Sequence, residues 1–230
     1  MHNQTLRIFH ILTSLEHGGA QKLATKLILD DNKSFNHIVF TLIDIGPYKS
    51  ILISNGIEVV SSRSSNFFFI LKEAMKCYSK NKPDIVHTWM YHADLIGLIL
   101  SIFLKKHKLI WSLHHANPAE NKFLTRVIIR ACKFFSASLP DKIVACSELA
   151  SQNHIQYGYS KNNMIVIENG INFENYSNKT KIAESYNFNK ENIVIGHIAR
   201  WHPIKGHKFF IEMASNLYKK NKKYSFVLVG

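Results

Sequence analysis

The stretch RIFHILTSLEHGGAQKLATKLILD, residues 7–30, decides the fold. It opens with an apolar run that contains two isoleucines, and it continues through a loop with two adjacent glycines. It ends in a segment whose apolar residues recur every three or four positions, at Ala20, Leu23, Ala24, Leu27 and Ile28. The first run predicts a buried strand and the periodic segment predicts an amphipathic helix. A strand, a glycine loop and a helix together form the first part of a βαβ unit.

The same alternation continues along the chain. Short apolar runs predict further strands at 37–42, 57–60, 84–88, 108–112, 142–145 and 164–167, and periodic segments predict helices at 67–79, 93–104, 122–138 and 148–156. This order predicts an α/β fold, with a Rossmann-like parallel sheet and helices on both faces. A polar stretch rich in Asn and Lys then precedes a second strand–helix–strand pattern at 193–197, 207–219 and 225–229. We therefore expect an N-terminal domain at 1–172, a linker at 173–191 and the incomplete start of a second Rossmann-like unit at 192–230.

The amino-acid composition indicates a globular protein that binds anionic partners. Hydrophobic residues make up 46% of the 230 residues and charged residues 20%, as in an ordinary globular protein with a sizeable core. The net charge of +13 favours anionic partners, and residues 179–230 carry 10 basic and 3 acidic residues. The three cysteines lie far apart in the sequence, which predicts buried thiols in a reducing compartment. No leader pattern or 20-residue apolar run is visible, so we expect a cytoplasmic protein.

Two motifs follow predicted strands, where ligands bind in open α/β sheets. Gly18 and Gly19 stand between the first strand and the first helix, so the backbone there can approach a ligand, and the helix N-terminus offers free N–H groups to an anion. The structural alternative is a tight turn that needs positive φ. His114 and His115 end the fifth predicted strand. Because adjacent residues on an extended chain point to opposite faces, only one of them can face a given site. A loop histidine without a role is the other reading.

Two further motifs predict a turn and an anion-binding loop. Asn169 and Gly170, in the sequence ENGIN, read by themselves as a turn. Arg200 and Lys205 flank a loop that contains Pro203 between a strand and a helix, and two cations there suit a diphosphate, although a solvated basic loop is the plain alternative. The thirteen histidines give no HExxH pattern or closed Cys/His set, so no metal or other cofactor is expected.

Taken together and in this order, these motifs resemble glycosyltransferase family 4. The glycine pair is similar to that family's N-terminal loop. The segments TWMYHAD at 88–94 and HHANP at 114–118 resemble its middle signatures. ENGIN resembles its N-G-I/V-D turn, with Asn172 in place of the usual Asp, and ARWHPIKGH resembles its R-x4-K-G segment. The resemblance implies two Rossmann domains across a cleft, with the acceptor on the first and a nucleotide sugar on the second. It also implies transfer that retains anomeric configuration without a metal.

The same resemblance assigns roles to single residues. His114 would lie against the transferred sugar as the catalytic residue, in preference to His115. Arg200 and Lys205 would neutralise the diphosphate, and Gly18, Gly19, Asn169 and Gly170 would complete the donor site. The family's E-x7-E segment is missing, because residues 206–230 hold one acidic residue, Glu212. We therefore expect this chain, taken alone, not to transfer sugar.

The expected function is transfer of a sugar to a polysaccharide or lipid-linked acceptor in cell-envelope glycan synthesis. A non-catalytic remnant that binds an acceptor or a membrane is the alternative. The absence of recognised motifs argues against nucleic acid as the partner. Basic helical faces predict contact with the anionic inner surface of the membrane; they are formed by Lys72, Lys76 and Lys80 and by Arg126, Arg130 and Lys133, with Phe123, Phe134 and Phe135 close by. Solvated helix faces are the competing reading.

Overall fold

The computed structural model describes residues 5–104, 106–120, 122–170 and 191–230. It divides after Gly170 into two compact units. The described part of the first unit holds the strands β1 Arg7–Leu12, β2 Asn36–Thr41, β3 Glu58–Ser61, β4 Ile85–Trp89, β5 Lys108–Leu113, β6 Lys142–Ala145 and β7 Met164–Val166. Its helices are α1 Gly19–Asp31, α2 Tyr48–Ser54, α3 Phe67–Asn81, α4 Tyr91–Leu104, α5 Phe123–Phe135 and α6 Glu148–Tyr157.

All strands of this sheet are parallel, and their order is β3-β2-β1-β4-β5-β6-β7. The chain builds outward from β1 in one direction and then returns to add β4 on its other side. The strand order therefore reverses between β1 and β4, which opens a crevice at the carboxyl ends of these two strands. The predicted Rossmann-like α/β fold is confirmed.

Two apolar layers enclose the sheet, because alternate residues of each strand point to opposite faces. Helices α1 and α2 bury one face, in a cluster that includes Leu12, Val39 and Trp89. Helices α3, α4 and α5 bury the other face, in a larger cluster that includes Phe9 and Trp111. The helices thus cover both faces of the sheet, as predicted.

The second unit is described over residues 191–230. It consists of β8 Ile193–Ile198, a 3-10 turn at Pro203–Lys205, α7 His207–Lys220 and β9 Tyr224–Val229. The two strands pair in parallel, so this part of the chain is one strand–helix–strand unit. The predicted linker, apart from Glu191, lies outside the described residues, and so does Asn172.

One element was absent from the sequence-based prediction. Helix α2 has seven residues and follows Pro47, and Leu52 is its only fully buried side chain. A helix with a single buried position leaves no periodic apolar stripe in the sequence. Helix α4 also begins earlier than predicted, at Tyr91 rather than at Ala93.

Candidate functional site

The carboxyl ends of β1, β4 and β5 bring three of the predicted motifs to one edge of the first sheet. The glycine loop follows β1, the TWMYHAD segment spans the end of β4, and His114 follows β5. Since β1 pairs with β4 and β4 pairs with β5, the three segments are neighbours at the crevice where the strand order reverses. The topology thus assembles one candidate site from sequence positions about 100 residues apart.

The glycine pair leaves an open surface at the start of α1. Gly18 is the N-cap, with φ −165° and ψ 157°, and no side chain caps the helix. A Cβ at Gly19 would meet nothing within 4 Å. Neither glycine has positive φ, so the reading of this pair as a turn that needs left-handed backbone is wrong. Small size is what the pair contributes: at Gly18 a Cβ would stand 2.2 Å from Oε1 of Gln21, and at Gly19 the lack of a side chain leaves the start of the helix open to an anion.

A second loop holds the glycine loop in place. The N–H of Leu15 donates to the carbonyl of Ile45 at 3.0 Å, and the N–H of Tyr48 donates to the carbonyl of Leu15 at 3.3 Å. Gly46 lies between them with φ +116°, and a Cβ there would stand 1.9 Å from the carbonyl carbon of Leu15. Only glycine fits at this position, because both the backbone angle and the contact exclude a side chain.

His114 stacks on the ring of Trp89, with centroids 5.3 Å apart and planes 9° from parallel. Both of its ring nitrogens are buried, and neither has a hydrogen-bond partner among the described residues. Burial lowers the pKa of His114, so the ring is neutral at pH 7 and presents one donor and one acceptor nitrogen. Buried polar atoms without partners are uncommon and costly, so this ring is suited to a ligand that supplies them. His115 makes a different contact: its Nδ1–H donates to the carbonyl of Asn117 at 2.9 Å.

A row of imidazole rings supports Trp89 from the same face of the sheet. The indole N–H of Trp89 donates to Nδ1 of His10 at 3.4 Å, so His10 carries its proton on Nε2 and donates it to Nδ1 of His37 at 2.9 Å. His87 packs against Trp89 with centroids 4.5 Å apart, and its Nε2 lies 2.7 Å from the hydroxyl of Ser112. Burial lowers the pKa of His10, and it lowers the pKa of His87 to about 3. The row is therefore neutral and fixes the Trp89 ring against which His114 lies.

The TWMYHAD segment has a structural reason for its spacing. The hydroxyl of Thr88, on β4, donates to Oδ1 of Asp94, which lies fully buried on α4. Oδ2 of Asp94 is buried and has no partner among the described residues, and burial raises the pKa of this carboxyl to about 7. Between these residues Met90 adopts φ +73°, a left-handed conformation that is costly for a side chain of this size. The bond between Thr88 and Asp94 therefore ties the strand to the helix across a strained turn.

Asn169 and Gly170 follow β7 at the end of the first unit. Both are exposed, and a Cβ at Gly170 would meet nothing within 4 Å. Their side of the sheet carries the carboxyl ends of the strands, but β7 stands at the far edge, three strands away from β4. The described residues of the first unit therefore do not bring them next to His114.

The second unit presents its predicted cations on the loop between β8 and α7. Arg200 and Lys205 are exposed, and neither has an ion-pair partner among the described residues. Gly206 is the N-cap of α7 with φ +70°, and as a glycine it offers no side chain to cap the helix. Two unpaired cations beside a helix N-terminus form a surface suited to a phosphate group.

Packed rings shape this cationic loop. His207 opens α7, and its Nε2–H donates to the carbonyl of Ala199 at 3.2 Å. Trp201 packs on His207 with centroids 4.5 Å apart, and His197 meets the same ring edge to face at 4.9 Å. The histidines at this loop therefore order the backbone that carries Arg200 and Lys205.

Sequence reasoning included Trp89 and Asp94 in the TWMYHAD motif without assigning either a role, and it missed the row of histidines on β1, β2 and β4. The hydrogen bonds between His10 and His37 and between Trp89 and His10 join residues 27 and 79 positions apart in sequence, and no local pattern predicts such pairs. Within the described ranges, no group of three or more His, Cys, Asp or Glu side chains could hold a metal ion. No helix in the described part of the chain is long and apolar enough to span a bilayer.

The family model "Glycosyltransferase Family 4" matches residues 37–175, which is more than half of the chain. The chain belongs to glycosyltransferase family 4. The match covers the strands from β2 to β7, including His114 and the TWMYHAD segment, and it ends just beyond ENGIN. The resemblance inferred from these short motifs is therefore confirmed, and glycosyl transfer is the activity of the family to which these residues belong.

Individual glycosyltransferases match nearly the whole length of this chain, and the chain spans less than two thirds of theirs. The chain is 21% identical to EpsF of Bacillus subtilis (strain 168), a protein named as a glycosyltransferase, and spans 63% of its length. Anabaena Alr3699/HepE, solved in complex with UDP-glucose, superposes with a TM-score of 0.78 at 20% identity, over 97% of this chain and 60% of HepE. A glycosyltransferase from Rickettsia africae ESF-5 superposes with a TM-score of 0.75 at 20% identity, over 98% of this chain and 60% of that protein. At these identities the structural likeness establishes the fold.

Proposed function

We propose that this chain provides the acceptor side, and the first part of the donor side, of an enzyme that moves a sugar from a nucleotide-sugar donor to an acceptor. One observation carries the proposal: His114 holds two buried ring nitrogens without partners among the described residues, at the same carboxyl edge of the sheet as the glycine loop. A sugar hydroxyl both donates and accepts hydrogen bonds, so it matches a neutral imidazole with one nitrogen of each kind. The acceptor in this proposal is a polysaccharide or a lipid-linked glycan of the cell envelope, and transfer retains anomeric configuration.

The donor side of the proposal rests on charge. Arg200 and Lys205 lie on the loop that leads into α7, without ion-pair partners among the described residues, and a diphosphate there gains both charge pairing and hydrogen bonds from the N–H groups of the helix N-terminus. Stabilising the leaving diphosphate with positioned cations lowers the barrier to transfer. In this scheme Gly18, Gly19, Asn169 and Gly170 contact the donor through their backbone, and no metal is needed. Because HepE was solved with UDP-glucose, we propose a uridine diphosphate sugar as the first donor to test.

Calorimetric titration of UDP into the 230-residue chain tests the donor site. Replacing Arg200 or Lys205 with Ala should weaken UDP binding by roughly 1.5–3 kcal/mol, the value of a hydrogen bond to a charged group. Lys219→Ala is the matched control, since Lys219 is an exposed cation in the last turn of the same helix. Equal affinities for all three variants and the parent chain would remove Arg200 and Lys205 from the donor site.

Surface features support a location at the inner face of the membrane. The outward face of α5 carries Phe123, Phe134, Arg126 and Arg130, all exposed, and the helix contains no acidic residue. An exposed face with both aromatic rings and arginines fits the interface of an anionic bilayer. Three residues of the predicted faces are engaged elsewhere: Lys80 pairs with Glu58 at 2.7 Å, Lys133 lies over the ring of Tyr157, and Phe135 packs against the core.

The alternative is a non-catalytic protein that binds an acceptor or a membrane through the first unit. UDP titration separates the two, because a remnant without donor chemistry has no reason to bind UDP through Arg200 and Lys205. Binding of UDP that weakens in the R200A and K205A variants favours the enzyme.

A further inference from the structure

A cavity of about 330 Å³ lies at the carboxyl edge of the first sheet, on the side covered by α3, α4 and α5. Six of its nine lining residues are apolar: Leu42, Ile43, Phe67, Ile70, Leu95 and Ile128. We infer that this cavity binds the hydrocarbon chain of an anionic amphiphile. The further identification of that amphiphile as the lipid-linked acceptor rests on the proposed function.

The wall chemistry selects a hydrocarbon chain over a sugar. A sugar in a cavity of this size needs many hydrogen-bond partners, and the polar side chains on the wall are confined to Thr13, Ser65 and His92. An alkyl chain needs none, and its transfer from water to an apolar wall is favourable for each methylene buried. The cavity is also open to solvent, because Ile43 and Phe67 on its wall are 47% and 39% exposed.

The surface beside the cavity fits the remainder of such a molecule. Phe68 and Phe69 continue the chain from Phe67 and are 77% and 59% exposed, and Leu124, one helical turn before Ile128, is 75% exposed. Large apolar side chains rarely gather on the surface of a soluble domain unless something covers them. The helix that supplies Ile128 to the wall, α5, carries the exposed Arg126 and Arg130 and no carboxylate, so its net positive charge favours an anionic amphiphile.

The polar part of the wall faces the reaction edge. Thr13 is the first residue after β1 and leads into the glycine loop, and His92 is the second residue of α4, just after β4. An amphiphile whose hydrocarbon chain is held in the cavity therefore has its head group at the same edge of the sheet as His114. A lipid-linked acceptor needs this arrangement, in which the lipid is gripped and the sugar end stays at the crevice.

A series of alkyl phosphates with increasing chain length tests the inference, titrated into the 230-residue chain below the micelle concentration of each compound. Affinity for the alkyl phosphate should rise by up to about fourfold for each added methylene for as long as the added methylenes enter the cavity. It should stop rising once the 330 Å³ are filled. Leu95→Trp reduces the free volume, so it should lower the affinity of the longest compounds at least tenfold and move the plateau to shorter chains. Phe103→Ala is the matched control, since Phe103 is 70% exposed on α4 and does not line the cavity.

Ile43→Trp is the second filling variant, because this wall position is half open to solvent and tolerates a larger ring. Circular dichroism and thermal melts confirm that each variant is folded. A rise in affinity without a plateau, or equal binding by the parent chain and a folded filling variant, would overturn the cavity site. A loss in F103A with none in L95W would place the lipid on the outer surface of α4 and would also overturn it. Failure to bind UDP would contradict the proposed function but would leave binding of alkyl phosphates in the cavity unaffected, so the two failures are distinguishable.

Discussion

Replacing Asp94 with Asn should stabilise the protein in a manner that grows with pH. Asp94 is fully buried, and burial raises the pKa of its carboxyl from 3.8 to about 7. A carboxyl whose folded pKa is raised contributes most stability below its unfolded pKa and loses it as pH rises through the folded value. Each pKa unit corresponds to 1.36 kcal/mol, so the parent protein loses about 4 kcal/mol from this group between pH 3 and pH 8. Asn keeps an oxygen for the Thr88 hydroxyl and does not ionise.

The assay is urea unfolding followed by circular dichroism, at several pH values between 5 and 8. The difference in unfolding free energy between D94N and the parent should increase by roughly 2.5 kcal/mol over this range. Taking the difference cancels the titration of every other group that the two proteins share. Asp141→Asn is the matched control, because the pKa of Asp141 is shifted in the opposite direction. Burial opposes ionisation of Asp141, but its bonds to Lys108 and to the N–H of Leu109 outweigh burial and lower its pKa below 3.8. Asp141 is therefore ionised in both the folded and the unfolded state above pH 5, so the difference between D141N and the parent should stay flat from pH 5 to pH 8.

A difference between D94N and the parent that stays flat from pH 5 to pH 8 would refute the reasoning. It would mean that Asp94 titrates as it does in the unfolded chain, so that its buried oxygens have partners in solution. A decrease with pH would contradict the sign of the shift itself. Thr88→Val adds a check, because removing the one donor to Asp94 should increase the advantage of Asn over Asp at pH 8.

Four other perturbations follow from the site. In an enzyme with a complete donor side, His114→Ala should lower turnover by far more than His115→Ala. The reverse ranking would show that His115, and not His114, faces the crevice. Gly46→Ala should destabilise the protein by more than 1 kcal/mol in urea unfolding, since a Cβ there meets backbone at 1.9 Å and φ is +116°; an unchanged midpoint would contradict that contact. Because burial lowers the pKa of His10, its stabilising contribution is complete above pH 6.5 and falls as the solution is acidified, by roughly 1.4 kcal/mol per pH unit, so melting temperature should drop below pH 6.5. Phosphatidylserine vesicles should co-sediment the chain at low salt, and Phe134→Asp should reduce the bound fraction; no binding of the parent would exclude the membrane surface.

The fold could be predicted because its signals are local. In a parallel sheet most strands are buried on both faces, so each of them appears in the sequence as a short apolar run between periodic segments. The signal fails where burial is slight, as in α2 with Leu52 as its one fully buried side chain. It also fails at junctions set by backbone conformation, as where φ of +73° at Met90 starts α4 two residues early.

The site could be predicted only in part. Strand ends and motif order placed His114 at the crevice, and loop chemistry placed Arg200 and Lys205 together on one loop. The stacking of Trp89 on His114 depends on which residues of β4 and β5 lie side by side, and that register is fixed by the whole sheet rather than by neighbouring letters. The sequence places the glycine pair in the correct loop. It does not show whether glycine is needed there for its small size or for a positive φ, and the backbone angles decide for small size.

The close packing of Gly46 against Leu15 has a consequence for how this enzyme family can vary. The loops after β1 and β2 are bonded backbone to backbone, so they move as one body although they belong to different βα units. An insertion or deletion in the β2 loop would displace the glycine loop even if every residue of the latter were kept. Under the proposed donor contact of the glycine loop, changes of donor preference should arise through paired changes in both loops. Grafting the β1 loop alone from a relative should yield a protein that folds but holds the grafted segment in the wrong place.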